Sequence, residues 1–262
     1  MAERYGFIVV LSIFSLVALA ADAQAEDWKT TLSATYETGT YGTGTRIDTE
    51  YIPLTVKRYF DNTGDLSLTV PYISQTSNGQ VTFINGLVFR TNGAKKAVTT
   101  ESGLGDMIGE GRLYVMEESQ THLFDLSVVG RIKFPTADKS KGLGTGAFDE
   151  TGGLELSRSI VPDWTGFFDV YYTFIGSVAG LDLKNTTAFD FGASYKTSPE
   201  TTVSLFYSQS TPIVSGIEDL RDLLANGEYR LSNAMSLFAG VDIGLSTSSP
   251  DIGITGGISY RF

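Results

Sequence analysis

Apolar and polar residues alternate along most of this chain, in runs of about ten residues that are separated by turn residues. In the clearest run, 122–134, every second side chain is apolar, and Asp125, Arg131 and Lys133 lie between the apolar positions. Strict alternation places one set of side chains on each face of a β-strand. About twelve such runs occur, near 28–41, 44–59, 64–74, 104–116, 121–134, 147–160, 164–176, 186–196, 201–210, 219–231, 234–245 and 251–262.

The connections between these runs alternate in length. Every second connection is short, at 61–63, 117–120, 161–163, 197–200 and 232–233. The others are mostly longer, above all 75–103 and 135–146, although 41–44 is a tight hairpin. Short periplasmic turns that alternate with longer outer loops are typical of outer-membrane barrels. We therefore predict an all-β fold, a transmembrane antiparallel up-and-down β-barrel of about 12 strands, in which loops 75–103 and 135–146 gate the outer mouth.

Both ends of the chain indicate export to the bacterial outer membrane. Residues 7–21 are apolar and are followed by the small-x-small sequence Ala23-Gln24-Ala25, so residues 1–25 are predicted to be a cleaved signal peptide and 26–262 the barrel. The last strand ends with Tyr260 and Phe262 on one face. We expect these two residues to form a barrel-assembly signal for the outer-membrane assembly machinery. The alternative is a soluble β-domain whose last strand ends in Phe.

Composition narrows the possible functions. The formal net charge of −11 argues against nucleic-acid binding, which requires a basic surface. The chain has no Cys, which excludes a lipoprotein anchor and disulfides. After the predicted signal, no apolar stretch approaches the length of a membrane-spanning helix.

Charged residues at inward positions are the candidates for lining a lumen or a constriction. They are Asp106, Asp125, Arg131, Lys133, Asp169, Asp190, Glu228, Arg230 and Asp242. Opposite charges on neighbouring strands pair across a sheet, so these residues could form a salt-bridged plug or line a narrow pore. Because the acidic residues outnumber the basic ones, we hypothesise a weak preference for cations.

No motif indicates catalysis or a cofactor. The only histidine, His122, lies beside a predicted periplasmic turn, whereas nucleophilic lipid hydrolysis in the outer leaflet needs a Ser–His pair there. Asp138, Asp149 and Glu150 flank one loop and could hold Ca²⁺; ordinary solvated loop acids are the alternative. We expect no catalytic residue, no metal and no cofactor.

Several short motifs, taken in order, carry a family resemblance. They are Leu68-Thr69-Val70-Pro71-Tyr72, Ser102-Gly103-Leu104-Gly105-Asp106, Lys133-Phe134-Pro135-Thr136 and Gly144-Thr145-Gly146-Ala147-Phe148-Asp149. Together they resemble the outer-membrane transporter-like family labelled for the meta-pathway of phenol degradation, over about residues 51–262. Ala137 stands where that family usually has Gly. The resemblance implies a barrel that passes small, often hydrophobic or aromatic, compounds.

These observations lead to one main functional hypothesis, an outer-membrane channel for passive uptake of small solutes. Its expected partners are the lipid bilayer, lipopolysaccharide and a small-molecule solute. The alternative is a structural or surface-interaction barrel with a plugged lumen, whose outer loops bind a partner or lipopolysaccharide.

Overall fold

The computed structural model describes residues 27–262, so the predicted signal peptide lies outside the described residues. The regular elements of this part of the chain are almost all β-strands. They are β1 Trp28–Gly39, β2 Ile47–Phe60, β3 Gly64–Ser77, β4 Val81–Ile84, β5 Leu87–Arg90, β6 Thr99–Leu104, β7 Met107–Met116, β8 Asp125–Phe134, β9 Asp149–Val161, β10 Trp164–Phe174, β11 Thr186–Lys196, β12 Thr201–Ser210, β13 Leu220–Arg230, β14 Met235–Gly244 and β15 Ile252–Arg261. Within residues 27–262, no helix is long and apolar enough to cross a bilayer.

The strands close into a twelve-stranded antiparallel barrel. Consecutive strands pair around the ring, and β1 closes it by pairing with both β2 and β15. Strands β6 and β7 together act as one wall strand, because both pair with β3. Strand β6 pairs with the extracellular half of β3, and β7 pairs with its periplasmic half. Closure leaves no free sheet edge, as a hydrocarbon environment requires. The predicted all-β barrel of about 12 strands is confirmed.

The alternating pattern explains which surface of the barrel faces lipid. Large apolar side chains at every second position point outward and are exposed, for example Leu66, Leu113, Phe174 and Ile254. The intervening positions point into the lumen and carry most of the charged and hydroxyl side chains. An apolar outer band around a polar interior is what membrane insertion of a β-barrel requires.

The strand boundaries agree closely with the predicted runs except at the fourth wall strand, which begins at Thr99, inside the predicted loop 75–103. The run predicted at 104–116 is broken at Gly105 and Asp106, between β6 and β7. The Gly105 amide still donates to the Pro71 carbonyl at 2.9 Å. A Cβ on Gly105 would lie 2.5 Å from Cδ1 of Ile73, so a larger residue here would have to displace the Ile73 side chain.

The main apolar core lies inside the outer end of the barrel. Strands β4 and β5 form a separate antiparallel hairpin within the loop 75–103. Five of its apolar side chains, Val81, Phe83, Ile84, Val88 and Phe89, are each no more than 4% exposed. We call residues 81–90 the plug hairpin.

Candidate functional site

The plug hairpin is packed on both of its faces. Val81, Phe83 and Val88 join a cluster with Ile73 and Leu143. Ile84 and Phe89, on the other face, pack against Ile213, Val214 and Leu220. Burying each large apolar side chain is worth about 1.5–3 kcal/mol, so the hairpin is held firmly against the wall and the neighbouring loops.

The turn of the plug hairpin touches the barrel wall. Asn85 and Gly86 both have positive φ, 52° and 85°, as a type I′ hairpin turn requires. The Asn85 side-chain amide donates to Thr151 Oγ1 on β9 at 3.2 Å. The cavity beside this turn, lined by Tyr51 and Lys133 among others, measures about 10 Å³. That volume holds about one water at most, so the turn packs closely against this part of the wall.

A buried lysine holds the wall and the outer loops together. Lys133 on β8 is 1% exposed, and its ammonium lies 3.0 Å from Asp106 and 2.8 Å from Asp149. It also donates to Thr145 Oγ1 at 2.7 Å. Asp106 in turn accepts from the Ala137 amide at 2.9 Å. We call Lys133, Asp106 and Asp149 the Lys133 cluster. Two of its members, Asp106 and Lys133, are predicted lumen residues.

A second charged network follows the inner face of β2, β3 and β7–β9. Arg112 contacts Asp65 at 3.2 Å and Glu155 at 2.6 Å, while Lys57 contacts Asp65 at 2.9 Å. Arg131, another predicted lumen residue, pairs with Glu110 at 2.7 Å. We call these six residues the ion-pair ladder; it contains three basic and three acidic side chains.

The opposite side of the lumen is acidic. Five inward-facing carboxylates lie on β1, β10, β11, β13 and β14: Glu37, Asp169, Asp190, Asp222 and Asp242. Asp169 and Asp190 stand directly opposite each other in the sheet register. Within residues 27–262, none of the five forms an ion pair within 4.0 Å. We call this group the acidic wall.

The periplasmic end of the lumen contains an open vestibule of about 460 Å³. Its lining includes Lys29, Glu228, Arg230 and Arg261, with the ring of Tyr59. The Arg261 guanidinium stacks over the Tyr59 ring at 4.9 Å from its centroid. Two predicted lumen residues, Glu228 and Arg230, therefore lie at this end, far from the Lys133 cluster.

The remaining predicted residues fall into two places. Asp169, Asp190 and Asp242 belong to the acidic wall. Asp125 lies at the periplasmic rim, where it accepts from the Glu118 amide at 2.7 Å and from Ser157 Oγ at 3.2 Å. It therefore holds the helical turn Glu118–Thr121 against the wall. A role of any of these residues in a constriction stays a prediction.

The loop acids considered for Ca²⁺ do not converge on one site. Asp149 is ion-paired with Lys133, as described above. Asp138 caps the 3₁₀ turn Lys139–Lys141 by accepting from the Ser140 hydroxyl and amide. Among the residues described, no group of three or more acids, histidines or cysteines is arranged to hold a metal ion.

Three ionisable groups at the outer rim are shifted by their surroundings. Hydrogen bonds from Ser140 hold the pKa of Asp138 below its usual value. Hydrogen bonds from Thr247, and then the charge of Arg221, lower the pKa of Glu218. Burial, with the nearby charge of Glu37, raises the pKa of Tyr41. The rim therefore keeps Asp138 and Glu218 ionised and Tyr41 neutral at physiological pH.

Sequence reasoning missed five of the six ladder residues and Glu37. The alternation does place Lys57 and Asp65 on the inner face, on either side of the short turn 61–63. The short turn joins the two strands in a register that places Tyr59 opposite Asp65. That register, inferred from the turn, could have identified the Lys57–Asp65 pair. The plug hairpin was also missed, although its Asn85-Gly86 turn is a strong hairpin sequence.

Solved structures with the same architecture are outer-membrane barrels. The COG4313 outer membrane channel from Pseudomonas putida F1 matches with a TM-score of 0.66 at 12% identity, covering 92% of this chain and 100% of that chain. The KdgM porin matches with a TM-score of 0.56 at 10% identity, covering 88% and 99%. The P. putida toluene transporter TodX matches with a TM-score of 0.51 at 12% identity, covering 92% and 80%. At these identities the likeness shows the fold, and it confirms the predicted β-barrel.

Sequence comparison supplies the family. None of the curated protein sequences matches this chain. A family model described as "Putative MetA-pathway of phenol degradation" matches residues 24–262, which include all of the barrel. The resemblance inferred from the short motifs is thereby confirmed, and the chain belongs to this family of putative MetA-pathway proteins of phenol degradation.

Proposed function

We propose that this protein is an outer-membrane channel for the passive uptake of small solutes, including hydrophobic or aromatic ones. One observation carries the proposal. The outer part of the lumen is filled by a separate hairpin, which is attached through loop segments, rather than by side chains of the wall itself. A plug of this kind can move while the barrel stays intact, whereas the interior of a narrower barrel is filled by the side chains of its own wall.

The mechanism is diffusion down a concentration gradient through a gated mouth. Loop 75–103 contributes the plug hairpin, and loop 135–146 contributes Leu143 to its seat. Displacing the plug would uncover the apolar surfaces that now pack on Phe83 and Phe89. An apolar solute can contact those surfaces, while the polar wall below keeps the pathway hydrated.

Relatives in structure and sequence support this proposal. One structural neighbour is described as an outer membrane channel and another as a toluene transporter. The family description refers to phenol degradation. All three are consistent with a small aromatic cargo for this chain.

The protein would have two further partners besides the bilayer and the solute. Lys95, Lys96, Lys139 and Lys141 are exposed on the outer loops, where they can contact lipopolysaccharide phosphates. Tyr260 and Phe262 stack at 5.8 Å at the end of the last strand, where the outer-membrane assembly machinery can bind them. No catalytic step is part of the proposal. His122, the single histidine, ends a periplasmic helical turn with a left-handed backbone.

The tight packing of the plug favours a second candidate, a permanently plugged barrel whose outer loops bind a partner or lipopolysaccharide. Solute flux separates the two. The mature protein is refolded into liposomes, and the efflux of an uncharged solute series of increasing size, including phenol-sized aromatics, is measured. Efflux that falls with solute size supports a channel. A folded barrel that releases none of the solutes contradicts it and supports the plugged barrel.

A further inference from the structure

The lumen carries opposite charges at its two ends. We propose that this polarity makes the channel select small solutes without net charge, neutral or zwitterionic, over singly charged ions of the same size. The inference rests on the channel function proposed above and specifies its substrate class.

Two strands show the polarity directly. On β1, Glu37 and Lys29 are eight positions apart, so both point into the lumen. On β13, Asp222 and Arg230 have the same separation and direction. At about 3.3 Å per residue, eight residues span about 26 Å along a strand. A strand tilt of about 40° reduces this to about 20 Å along the barrel axis.

The acidic ends lie together towards the outer mouth. Glu37 and Asp242 stand on either side of Gly253 in the sheet register. Asp222 stands opposite Gly244, two positions along β14 from Asp242, so the three carboxylates occupy neighbouring positions of the inner face. One carboxylate oxygen each of Asp222 and Asp242 is buried without a hydrogen-bond partner. This zone therefore attracts cations and repels anions.

The basic ends lie together around the periplasmic vestibule. Lys29 stands directly opposite Lys57 on one neighbouring strand and Arg261 on the other. Placing like charges directly opposite one another is unfavourable for a sheet. Arg230 lines the same vestibule, in which Glu228 is the acidic side chain. The vestibule lining thus carries three basic residues and one acidic residue, and it repels cations.

The rest of the charged lumen does not cancel this polarity. The ion-pair ladder is internally balanced, since its three basic and three acidic residues pair with one another. The Lys133 cluster has one basic and two acidic residues, which adds negative charge towards the outer mouth. At the outer mouth, Arg90 on the plug hairpin, beside Gly42, opposes Glu37, Asp222 and Asp242, and the lysines of the outer loops are exposed to solvent.

The two zones act separately on a permeating ion. The Debye length is about 10 Å at 0.1 M salt, roughly half of their separation. A cation is attracted into the acidic outer zone and meets a barrier at the basic vestibule. An anion meets its barrier at the outer zone and is attracted into the vestibule. A solute without net charge meets neither barrier. The same arrangement makes the salt current larger when the outer side is positive. Cations then enter through the acidic zone and anions through the basic zone, so both accumulate between the zones.

The test compares four solutes of similar size in proteoliposomes at low salt: propionamide, β-alanine, propionate and propylammonium. We expect propionamide and β-alanine to cross about fivefold faster than either ion, a ratio that shrinks at high salt as the charges are screened. Neutralising the vestibule with Lys29→Gln and Arg230→Gln should accelerate propylammonium selectively. Neutralising the three outermost acids of the acidic wall with Glu37→Gln, Asp222→Asn and Asp242→Asn should accelerate propionate selectively.

The control is Arg46→Gln with Lys184→Gln, which removes the same charge as the vestibule variant from exposed positions of two other outer loops and should leave all four rates unchanged. Planar-bilayer currents through oriented protein should rectify in the wild type and become linear in both lumen variants. Equal rates for the four solutes with a linear current would overturn this inference and leave the channel function standing. If even propionamide failed to cross, the proposed channel function itself would be wrong, and the inference with it.

Discussion

Asn85, at the turn of the plug hairpin, donates a side-chain hydrogen bond of 3.2 Å to Thr151 on the barrel wall. Thr151 in turn lies 2.9 Å from Thr173, oxygen to oxygen, on the neighbouring strand. Asn85 and Thr151 are 66 positions apart in the chain. The contact therefore joins a loop to a wall strand, and the gating proposed above requires it to open.

Tethering this contact should close the channel. The chain has no Cys, so Asn85→Cys with Thr151→Cys introduces a single thiol pair. We expect a short, cleavable bis-maleimide to join the two thiols and to reduce solute efflux from liposomes to the level of empty vesicles. Cleaving the linker should restore efflux.

Each single cysteine variant, treated with the same reagent, serves as the control and should keep its efflux. Undiminished efflux through fully cross-linked protein, verified by mass spectrometry, would mean that solutes do not pass the hairpin turn. The gating role of loop 75–103 would then be wrong.

Gly86 is the position at which a small change should loosen the plug. Its φ of 85° is unfavourable for a residue with a Cβ, at a cost of about 1–2 kcal/mol. A Cβ there would also lie 3.3 Å from the Tyr51 hydroxyl. We expect Gly86→Ala to shift the hairpin away from the wall and to increase efflux of uncharged solutes.

Gly44→Ala is the matched control for this prediction. Gly44 also has a positive φ, 70°, but a Cβ there would meet nothing within 4 Å. It therefore carries the same kind of backbone strain without a contact to the plug. Equal efflux from the two variants would show that a Cβ placed against Tyr51 does not displace the plug hairpin.

The wall strands could be predicted because their pattern is local. The runs at 186–196 and 201–210 coincide with β11 and β12, since alternation and turn residues are visible within each segment. The Asn85-Gly86 turn was equally local and could have revealed the plug hairpin. The position of the hairpin inside the lumen could not be predicted, because the residues that it packs against are as distant in sequence as Leu143 and Ile213.

The partners of the lumen residues were harder to predict than their direction. Alternation is enough to place Arg131 inside. Its partner Glu110 depends on the register between β7 and β8, which a sequence of alternating residues does not determine. The register also shifts between Tyr114 and Met116. Direction therefore followed from the sequence, whereas pairing required the structure.

Lys133 should be the lumen residue on which barrel stability depends most. Replacing it with Met leaves the carboxylates of Asp106 and Asp149 buried without a counter-charge, which typically costs about 3–5 kcal/mol. We expect Lys133→Met to lower the temperature at which the folded band is lost on gel electrophoresis. Adding Asp106→Asn and Asp149→Asn should recover part of that loss, because no charge then remains to be compensated.

Lys139→Met is the control, since Lys139 is an exposed lysine of the neighbouring loop and should leave the unfolding temperature unchanged. If Lys133→Met behaved like Lys139→Met, the buried ion pairs would contribute nothing to stability. The attachment of loop 135–146 to the wall would then depend on its apolar contacts alone.

Phe262 should affect assembly in the cell more than stability in vitro. Its backbone closes the barrel through two hydrogen bonds of 2.9 Å with Trp28, and these bonds do not involve the ring. The ring stacks on Tyr260 on the outer surface. We therefore expect Phe262→Ala to refold in detergent with a nearly unchanged unfolding temperature. In cells, the amount of folded barrel in the outer membrane should fall several-fold, because the assembly machinery loses an aromatic contact. Phe174→Ala removes an outward aromatic that is more exposed than Phe262, from the opposite end of a strand, and should not reduce that amount. Equal losses for the two variants would indicate a general requirement for outward aromatics rather than a terminal assembly signal.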